Sequence, residues 1–119
     1  MGITFDLVRA EASAFDASGQ LGRAVSAIAA HEGVVAVILF GSTARDEASV
    51  GSDRDLLVLV DDSVAGASAF AAQLRLELYP IVDRPLDLIV ERSEDFFDRS
   101  SRPTLEGAIV REGRLLHVA

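Results

Sequence analysis

The sequence contains neither cysteine nor lysine, and each absence excludes a class of chemistry. Without cysteine, the 119 residues can form no disulfide, no thiolate metal site and no cysteine nucleophile. All 11 basic residues are arginine, which excludes a P-loop lysine, a Schiff-base lysine and a lysine general base. The length predicts one domain over residues 1–119, and the lack of cysteine fits a reducing, cytoplasmic location.

Positive charge and long apolar runs are also scarce. The formal net charge of −8 at pH 7 argues against a nucleic-acid-binding surface, because proteins that follow a phosphate backbone need a basic face. The longest unbroken apolar run, Val34–Phe40, is far shorter than the ~20 residues that a transmembrane helix needs. The sequence therefore predicts neither a nucleic-acid partner nor a membrane partner.

Apolar spacing predicts helices that alternate with strands. Strands are predicted at Val34–Phe40, Asp55–Val60, Leu86–Val90 and Leu115–Val118. Helices are predicted over residues 21–29 and 64–78, from Ser93, and around Pro103. Asp16 or Ser18 is expected to cap the first helix and Asp62-Ser63 the second. The alternation predicts an α/β (α+β) fold, a mixed sheet of about four strands flanked by helices, with the helices expected on one side.

Three carboxylates fall on two of these strands. Asp53 and Asp55 open the second strand two residues apart, so they point to the same face about 6.5–7 Å apart. Asp87 lies inside the apolar third strand, where a charge is costly unless it is paired or ligated. If the third strand neighbours the second, Asp87 faces the same site about 5 Å away. Carboxylates alone favour Mg²⁺ or Mn²⁺ over zinc, so this cluster predicts a divalent-cation site.

A second feature follows the first strand directly. Gly41 allows close backbone approach to a phosphate, and a short helix that starts near Ser42 would direct free N–H groups at an anion. Arg45 could contact phosphate or could pair with Asp53 or Asp46. Metal-binding carboxylates beside a phosphate-binding turn are the parts of a phosphoryl-type transfer site, in which Asp87 could accept the proton of an attacking hydroxyl.

These residues resemble a known family. The sequence contains Gly41-Ser42, then ten residues, then Asp53-Arg54-Asp55. This pattern is similar to the Gly-Ser-x10-Asp-x-Asp signature of the DNA polymerase beta-like nucleotidyltransferase superfamily. Asp87 matches the third carboxylate of that family, which lies on the next strand. Asp46 departs from the pattern, since the family often has glycine there. The small size resembles the minimal nucleotidyltransferases, which are antitoxin partners of HEPN-domain toxins.

The resemblance implies a nucleotidyltransferase fold and a set of roles. It implies Mg²⁺-dependent transfer of AMP from ATP to a hydroxyl, with a tyrosine of a HEPN toxin as the leading acceptor. Asp53 and Asp55 would be metal ligands of a two-metal site, and Asp87 would be a third ligand or a base. Gly41, Ser42 and Arg45 would contact the nucleotide. Homo-oligomers and hetero-oligomers are both compatible with this interpretation.

Two other functions stay open at this point. The acceptor could be a small hydroxylated molecule, as in aminoglycoside nucleotidyltransferases, and transfer without any protein partner would favour that function. The chain could instead be a catalytically inactive module that neutralises a partner by binding it. Neutralisation that survives conversion of Asp53 and Asp55 to asparagine would favour the binding module.

Residues outside the signature have structural interpretations. Asp61 and Asp62 are predicted at a strand exit and a helix cap, and Tyr79 is predicted to pack at a helix end. His31 and His117 are predicted at the surface. The alanine-rich helix over residues 64–78 is predicted to face the core, although helices of this kind also build dimers.

Overall fold

The computed structural model describes residues 19–40, 54–82, 86–100 and 114–118. In chain order the elements are α1 (Gln20–Ala29), β1 (Val34–Phe40), β2 (Arg54–Val60), α2 (Ala67–Leu78), β3 (Leu86–Arg92), α3 (Ser93–Ser100) and β4 (Arg114–Val118). The bounds of β1 are those predicted, and β2 and β4 begin one residue earlier than expected. The predicted helix around Pro103 lies outside the described residues.

The four strands form one mixed sheet in the order β3-β2-β1-β4. Strand β1 pairs antiparallel with both β2 and β4, whereas β2 pairs parallel with β3. Parallel neighbours require a crossover connection, and α2 supplies it between β2 and β3. The predicted mixed sheet of about four strands is therefore confirmed. Because β2 and β3 are parallel, both strands begin at the same edge of the sheet.

One face of the sheet is covered by α1 and α2. These helices contribute buried side chains that pack against alternate residues of the strands. The core of this face contains Ala24, Val25, Ile28, Phe70, Leu74 and Leu78 from the helices and Val37, Leu39, Leu56, Val58 and Leu88 from the strands. The apolar stripe predicted over residues 64–78 therefore faces the core, as expected.

The other face is covered by α3, so the expectation that the helices lie on one side is wrong. Phe96 of α3 is fully buried and packs in a cluster with Ile38, Leu57 and Leu115. The physical reason lies in β1 and β2, which are apolar at consecutive positions and so bury both faces. Such a sheet is stable only when each face has a cover.

The helix starts also differ from the prediction. The N-cap residues are Gly19 and Gly66, and neither helix has a side-chain capping bond. The predicted cap Asp62-Ser63 does not cap α2, because the amide and the hydroxyl of Ser63 donate hydrogen bonds to the Asp61 carboxylate, at 2.9 Å and 2.6 Å. These bonds form a local turn before the helix, which competes with capping.

The helix ends lie where the breakers in the sequence indicate. Helix α2 ends at Leu78, just before Pro80, and the turn after α1 contains Gly33 at a φ of 92°. Tyr79 follows α2 with 83% of its surface exposed, so the prediction that it packs at the helix end is wrong. No helix in the described ranges has the length and apolar character of a membrane span.

Candidate active site

Two of the predicted carboxylates lie side by side where β2 and β3 begin. In the parallel register, Asp55 of β2 is the partner of Asp87 of β3. Neighbouring strands are about 4.8 Å apart, so the condition under which the sequence places Asp87 beside Asp55, that the third strand neighbours the second, is met. The crossover through α2 brings together two residues that are far apart in the sequence.

The end of β1 adds a third residue to this arrangement. Phe40, the last residue of β1, is the register partner of Asp55. Phe40 packs against the cluster under α3, which also contains Leu57. Side chains alternate along a strand, so Asp55 points to the same face of the sheet as Leu57. Asp87 points to that face too, because it is the register partner of Asp55. We call Phe40, Asp55 and Asp87 the cross-strand row.

The cross-strand row is accessible from solvent. Asp55 is half-buried and Asp87 is exposed. Ile89, two residues further along the same face of β3, is 36% exposed. A molecule approaching this face can therefore reach the carboxylate of Asp87 and the adjacent apolar surface of the sheet.

The row places two like charges on adjacent strands. If both are ionised about 5 Å apart, Asp55 and Asp87 repel by roughly 3 kcal/mol at an effective dielectric of about 20. Like charges directly opposite in a sheet are destabilising, and a divalent cation offsets this repulsion. Carboxylate oxygens are the ligands that Mg²⁺ prefers, so the chemistry of this pair fits such an ion.

The remaining predicted site residues lie outside the described residues. These are Gly41, Ser42, Arg45 and Asp53. Among the residues that the structure does describe, no group of three His, Asp or Glu is arranged to hold a metal ion. The described part of the site is thus a pair of carboxylates, and Asp53 is separated from it only by Arg54 in the sequence.

Helix α3 lies beside the row; the sequence predicts a helix from Ser93 but does not indicate that it covers this face of the sheet. Arg99 pairs with Glu91 of β3 at 3.4 Å, which fixes the helix to the edge strand. The rings of Phe96 and Phe97 meet edge to face with centroids 5.7 Å apart, and Phe97 packs against the same cluster as Phe40. The signal that could have revealed this position is the apolar pair Phe96-Phe97 in the helix predicted from Ser93, next to strands that are apolar on both faces.

The opposite end of β2 and β3 also carries aspartates, but each is held by neighbouring donors. The two hydrogen bonds from Ser63 lower the pKa of Asp61, and the charge of Arg92 lowers it further. Arg92 pairs with Asp62 at 3.4 Å and donates hydrogen bonds to the carbonyl oxygens of Asp61 at 3.1 Å and Val64 at 2.9 Å. Asp61 lies at the strand exit, as predicted, and these contacts are structural.

His31 lies away from the row, on the face covered by α1 and α2. Its Nε2 atom is 2.8 Å from Glu77 Oε1, and its ring meets Phe70 edge to face at 5.2 Å. His31 is half-buried rather than a simple surface residue. The hydrogen bonds from His31 and Gln73 lower the pKa of Glu77, so this cluster links the end of α1 to α2.

Comparison with known proteins gives one family and several related folds. The family described as "Nucleotidyltransferase domain" matches residues 21–116. No curated protein sequence matches the chain significantly. The cross-strand row lies within the matched range.

Three solved structures share the fold. A toxin-antitoxin structure with AMP-PNP is 18% identical, covers 88% of this chain and 75% of its own, and has a TM-score of 0.60. A putative nucleotidyltransferase from Sulfolobus solfataricus is 21% identical, with 83% and 78% covered and a TM-score of 0.52. A mutant of the toxin-antitoxin MntA-HpeT is 21% identical, with 77% and 66% covered and a TM-score of 0.53.

Proposed function

The chain belongs to the nucleotidyltransferase domain family, and from that membership we propose that it transfers AMP from ATP to a hydroxyl group and acts as the antitoxin of a toxin-antitoxin pair. The observation that carries the proposal is the register pairing of Asp55 with Asp87 beside the end of β1. Two like charges on adjacent strands repel each other. A divalent cation bound for nucleotide transfer would offset that repulsion.

The proposed metal ligands are Asp55 and Asp87, together with Asp53. Asp53 and Asp55 are two residues apart in the sequence, as in the signature that the chain resembles. Mg²⁺ bound by these carboxylates would neutralise charge on the phosphate oxygens during transfer. The carboxylate-only donor set supports this ion over zinc.

The two described carboxylates differ in exposure, and the proposal gives them different roles. Asp55 is half-buried between β1 and β3, which suits a fixed ligand. Asp87 is exposed, so an incoming hydroxyl can reach it and transfer its proton to the carboxylate as the oxygen attacks the α-phosphorus. Pyrophosphate then leaves as the new phosphorus–oxygen bond forms.

The proposed triphosphate contacts come from Gly41, Ser42 and Arg45. Gly41 follows Phe40 directly in the sequence, and Phe40 is the register partner of Asp55. This connection supports a phosphate contact close to the carboxylates. Backbone N–H groups after a glycine suit phosphate oxygens, and the guanidinium of Arg45 suits them through charge.

The proposed acceptor is a tyrosine of a partner toxin of the HEPN type. Two of the structures that share the fold are described as toxin-antitoxin structures, and one of them is with AMP-PNP. These relatives support an acceptor that arrives on another polypeptide. The net charge of −8 would favour association with a basic partner, since complementary charge increases association rates.

The test is incubation with ATP and Mg²⁺, with and without the product of the adjacent gene as the candidate toxin, followed by intact-mass spectrometry. The expected result is a mass gain of one or more AMP units on the toxin. That gain should disappear in Asp55→Asn and in Asp87→Asn, and it should remain in Asp62→Asn, which changes the same residue type at the opposite end of β2.

Two other results would replace the proposal. Transfer of AMP to a small hydroxylated compound without the toxin would indicate a small-molecule nucleotidyltransferase. A tight complex with no mass change, formed equally well by Asp55→Asn, would indicate a module that neutralises by binding alone.

A further inference from the structure

Ile89 is an exposed apolar side chain beside one of the two carboxylates of the cross-strand row. It follows Asp87 by two positions on β3, and side chains two apart in a strand point to the same face of the sheet. Their Cα atoms are therefore roughly 6.5–7 Å apart, and Ile89 is 36% exposed. A group that binds over Ile89 is within reach of the Asp87 carboxylate.

The neighbours of Ile89 on the adjacent strands are covered, whereas Ile89 is open. Ile89 is the register partner of Leu57 on β2, and Leu57 is the register partner of Ile38 on β1. Leu57 and Ile38 are each 1% exposed and pack with Phe96 of α3. Helix α3 thus covers this line of side chains over β1 and β2 and leaves its β3 end exposed. We call the exposed surface of Ile89 the shelf.

The carboxylate on the other side of the shelf is already paired. Glu91 follows Ile89 by two positions and points to the same face. Its side chain is 13% exposed, and its carboxylate lies 3.4 Å from the guanidinium of Arg99 on α3. Asp87, by contrast, is exposed. A hydroxyl bound on the shelf is therefore directed towards Asp87 rather than towards Glu91.

We propose that the shelf binds the aromatic ring of an acceptor tyrosine, so that Ile89 selects a phenolic hydroxyl over an aliphatic one. The inference rests on the proposed function, in which Asp87 accepts the proton of the attacking hydroxyl. Such a base must come within about 2.6–3.2 Å of that hydroxyl. A phenol carries its hydroxyl at the edge of a flat apolar ring, so the ring covers Ile89 while the hydroxyl meets Asp87. A serine hydroxyl lies next to the polar backbone and brings no apolar surface to the shelf.

The position of the shelf in the sheet suits an acceptor that belongs to another protein. In the described part of the sheet, β3 is an edge strand, so the shelf can be approached from beyond the edge as well as from above the face. A tyrosine side chain projects far from its backbone and reaches the shelf without bringing that backbone onto the sheet. The phenolic oxygen then attacks the α-phosphorus, its proton passes to Asp87, and pyrophosphate leaves.

The first test measures the kinetics of AMP transfer from ATP to the product of the adjacent gene. Ile89→Ala should raise the KM for the acceptor about tenfold, as expected when apolar contact with a substrate is lost. The KM for ATP and kcat should stay within about twofold of wild type, because the lost contact is the same in the ground and transition states. The matched control is Val118→Ala, since Val118 is also 36% exposed but lies on β4, at the opposite edge of the described sheet. It should leave all three constants unchanged.

A second pair of variants separates the shape of the shelf from its apolar character. Valine and threonine are both β-branched and similar in shape, but threonine adds a hydroxyl. Ile89→Val should keep the acceptor KM within about threefold of wild type, whereas Ile89→Thr should raise it about as far as alanine does. Circular dichroism verifies that each variant is folded.

A binding measurement detects the ring without any transfer reaction. The isoleucine methyl groups of the full chain are labelled with ¹³C, and the signal that disappears in Ile89→Val is that of Ile89. N-acetyl-tyrosinamide should shift this signal, because the ring current of a phenol acts on a methyl group beneath it. N-acetyl-serinamide should not shift it. The signal of Ile38, which is buried under α3, should move with neither compound.

Three results would overturn the proposal. They are AMP mapped to serine or threonine of the acceptor rather than to tyrosine, an acceptor KM unchanged in Ile89→Ala, and no selective shift of the Ile89 signal by the tyrosinamide. The failure of the proposed function looks different. In that case no AMP is transferred by the wild-type chain, while the tyrosinamide still shifts the Ile89 signal and the shelf remains a binding surface for a phenol.

Discussion

The two ends of the parallel pair β2–β3 both carry aspartates, but their surroundings differ. At the end where the strands start, Asp55 and Asp87 are register partners and place like charges side by side. At the end where the strands finish, Asp61 is held by Ser63 and Asp62 by Arg92. We call these the starting end and the finishing end.

The difference indicates what each end contributes. The finishing end satisfies its charges with donors that close the turn between β2 and α2, so its aspartates stabilise the fold. The starting end places the carboxylates of Asp55 and Asp87 side by side, and like charges directly opposite in a sheet repel unless another group or a cation offsets them. The same residue type should therefore respond in opposite ways to the same substitution at the two ends.

The largest expected effect is the loss of nucleotide transfer in Asp87→Asn. Without the carboxylate, the proposed base and metal ligand is lost, and the transfer rate should fall at least about a hundredfold. Radiolabelled or mass-detected AMP transfer to the toxin measures the rate. The unfolding temperature should not fall, because one of two opposed like charges has been removed.

The matched control for this comparison is Asp62→Asn. It removes one carboxylate from the finishing end and leaves the starting end intact, so the transfer rate should stay within about twofold of wild type. If Asp62→Asn loses transfer while Asp87→Asn keeps it, the assignment of the two ends is reversed.

The next largest effect is the destabilisation expected from Gly33→Ala. Gly33 lies against the turn of the finishing end at a φ of 92°, where only glycine is unstrained. An added Cβ would meet the hydroxyl of Ser63 and lie 2.8 Å from Val64 Cγ2. Backbone strain and overpacking together should lower the free energy of unfolding by about 2–4 kcal/mol.

Urea denaturation measures this loss, and Gly66→Ala is the control. Within the part of the chain that the structure describes, a Cβ at Gly66 would come near only Ala69 Cβ, at 3.9 Å, an ordinary van der Waals contact. Its cost should be about 1 kcal/mol or less, from a weaker N-cap. Equal losses in the two variants would show that the turn around Gly33 is not tightly closed.

The sheet was predictable from the sequence, and the caps were not. Val34–Phe40 is apolar at every position, so its bounds and its burial on both faces follow from the pattern alone. The same evidence implied a cover for each face, yet the helices were expected on one side. The missing information was that α3 follows β3 without a connecting loop. Asp62-Ser63 resembled a cap, but Ser63 bonds to Asp61 instead.

The site was predictable where it depends on the sheet. The sequence places Asp87 near Asp55 on the condition that the third strand neighbours the second, and the parallel register meets that condition. The exposure of Tyr79 could not be predicted, because amphipathic patterns assume that apolar residues face the core of one chain. The roles of the site residues remain predictions, those of Asp55 and Asp87 as well as those of Gly41, Ser42, Arg45 and Asp53.

A smaller effect is expected when the guanidinium of the finishing end is shortened in Arg92→Lys. Arg92 reaches the carbonyl oxygens of Asp61 and Val64 together with the Asp62 carboxylate. A lysine ammonium lacks the planar, forked donors of a guanidinium and cannot make all of these hydrogen bonds at once. We expect a loss of about 1–2 kcal/mol in the free energy of unfolding, measured by urea denaturation, with the transfer rate per folded molecule unchanged.

The control for that substitution is Arg99→Lys on α3. Arg99 is about half exposed and reaches Glu91 at 3.4 Å, and exposed pairs of this kind contribute less than about 1 kcal/mol. A loss as large as that of Arg92→Lys would mean that α3, rather than the turn of the finishing end, limits stability.

The smallest effect, and the most direct test of the comparison, is the pH dependence of Asp61→Asn. Hydrogen bonds from Ser63 lower the pKa of Asp61 in the folded chain, so the folded pKa lies below the unfolded one. The ionised carboxylate therefore stabilises the fold above the unfolded pKa, about 3.9, and this contribution disappears as the pH falls through the folded value.

Scanning calorimetry at a series of pH values should show Asp61→Asn melting below wild type near neutral pH, with the difference vanishing in acid. Asp87→Asn should show no such deficit at neutral pH. If both variants melt lower by the same amount, the two ends use their aspartates in the same way.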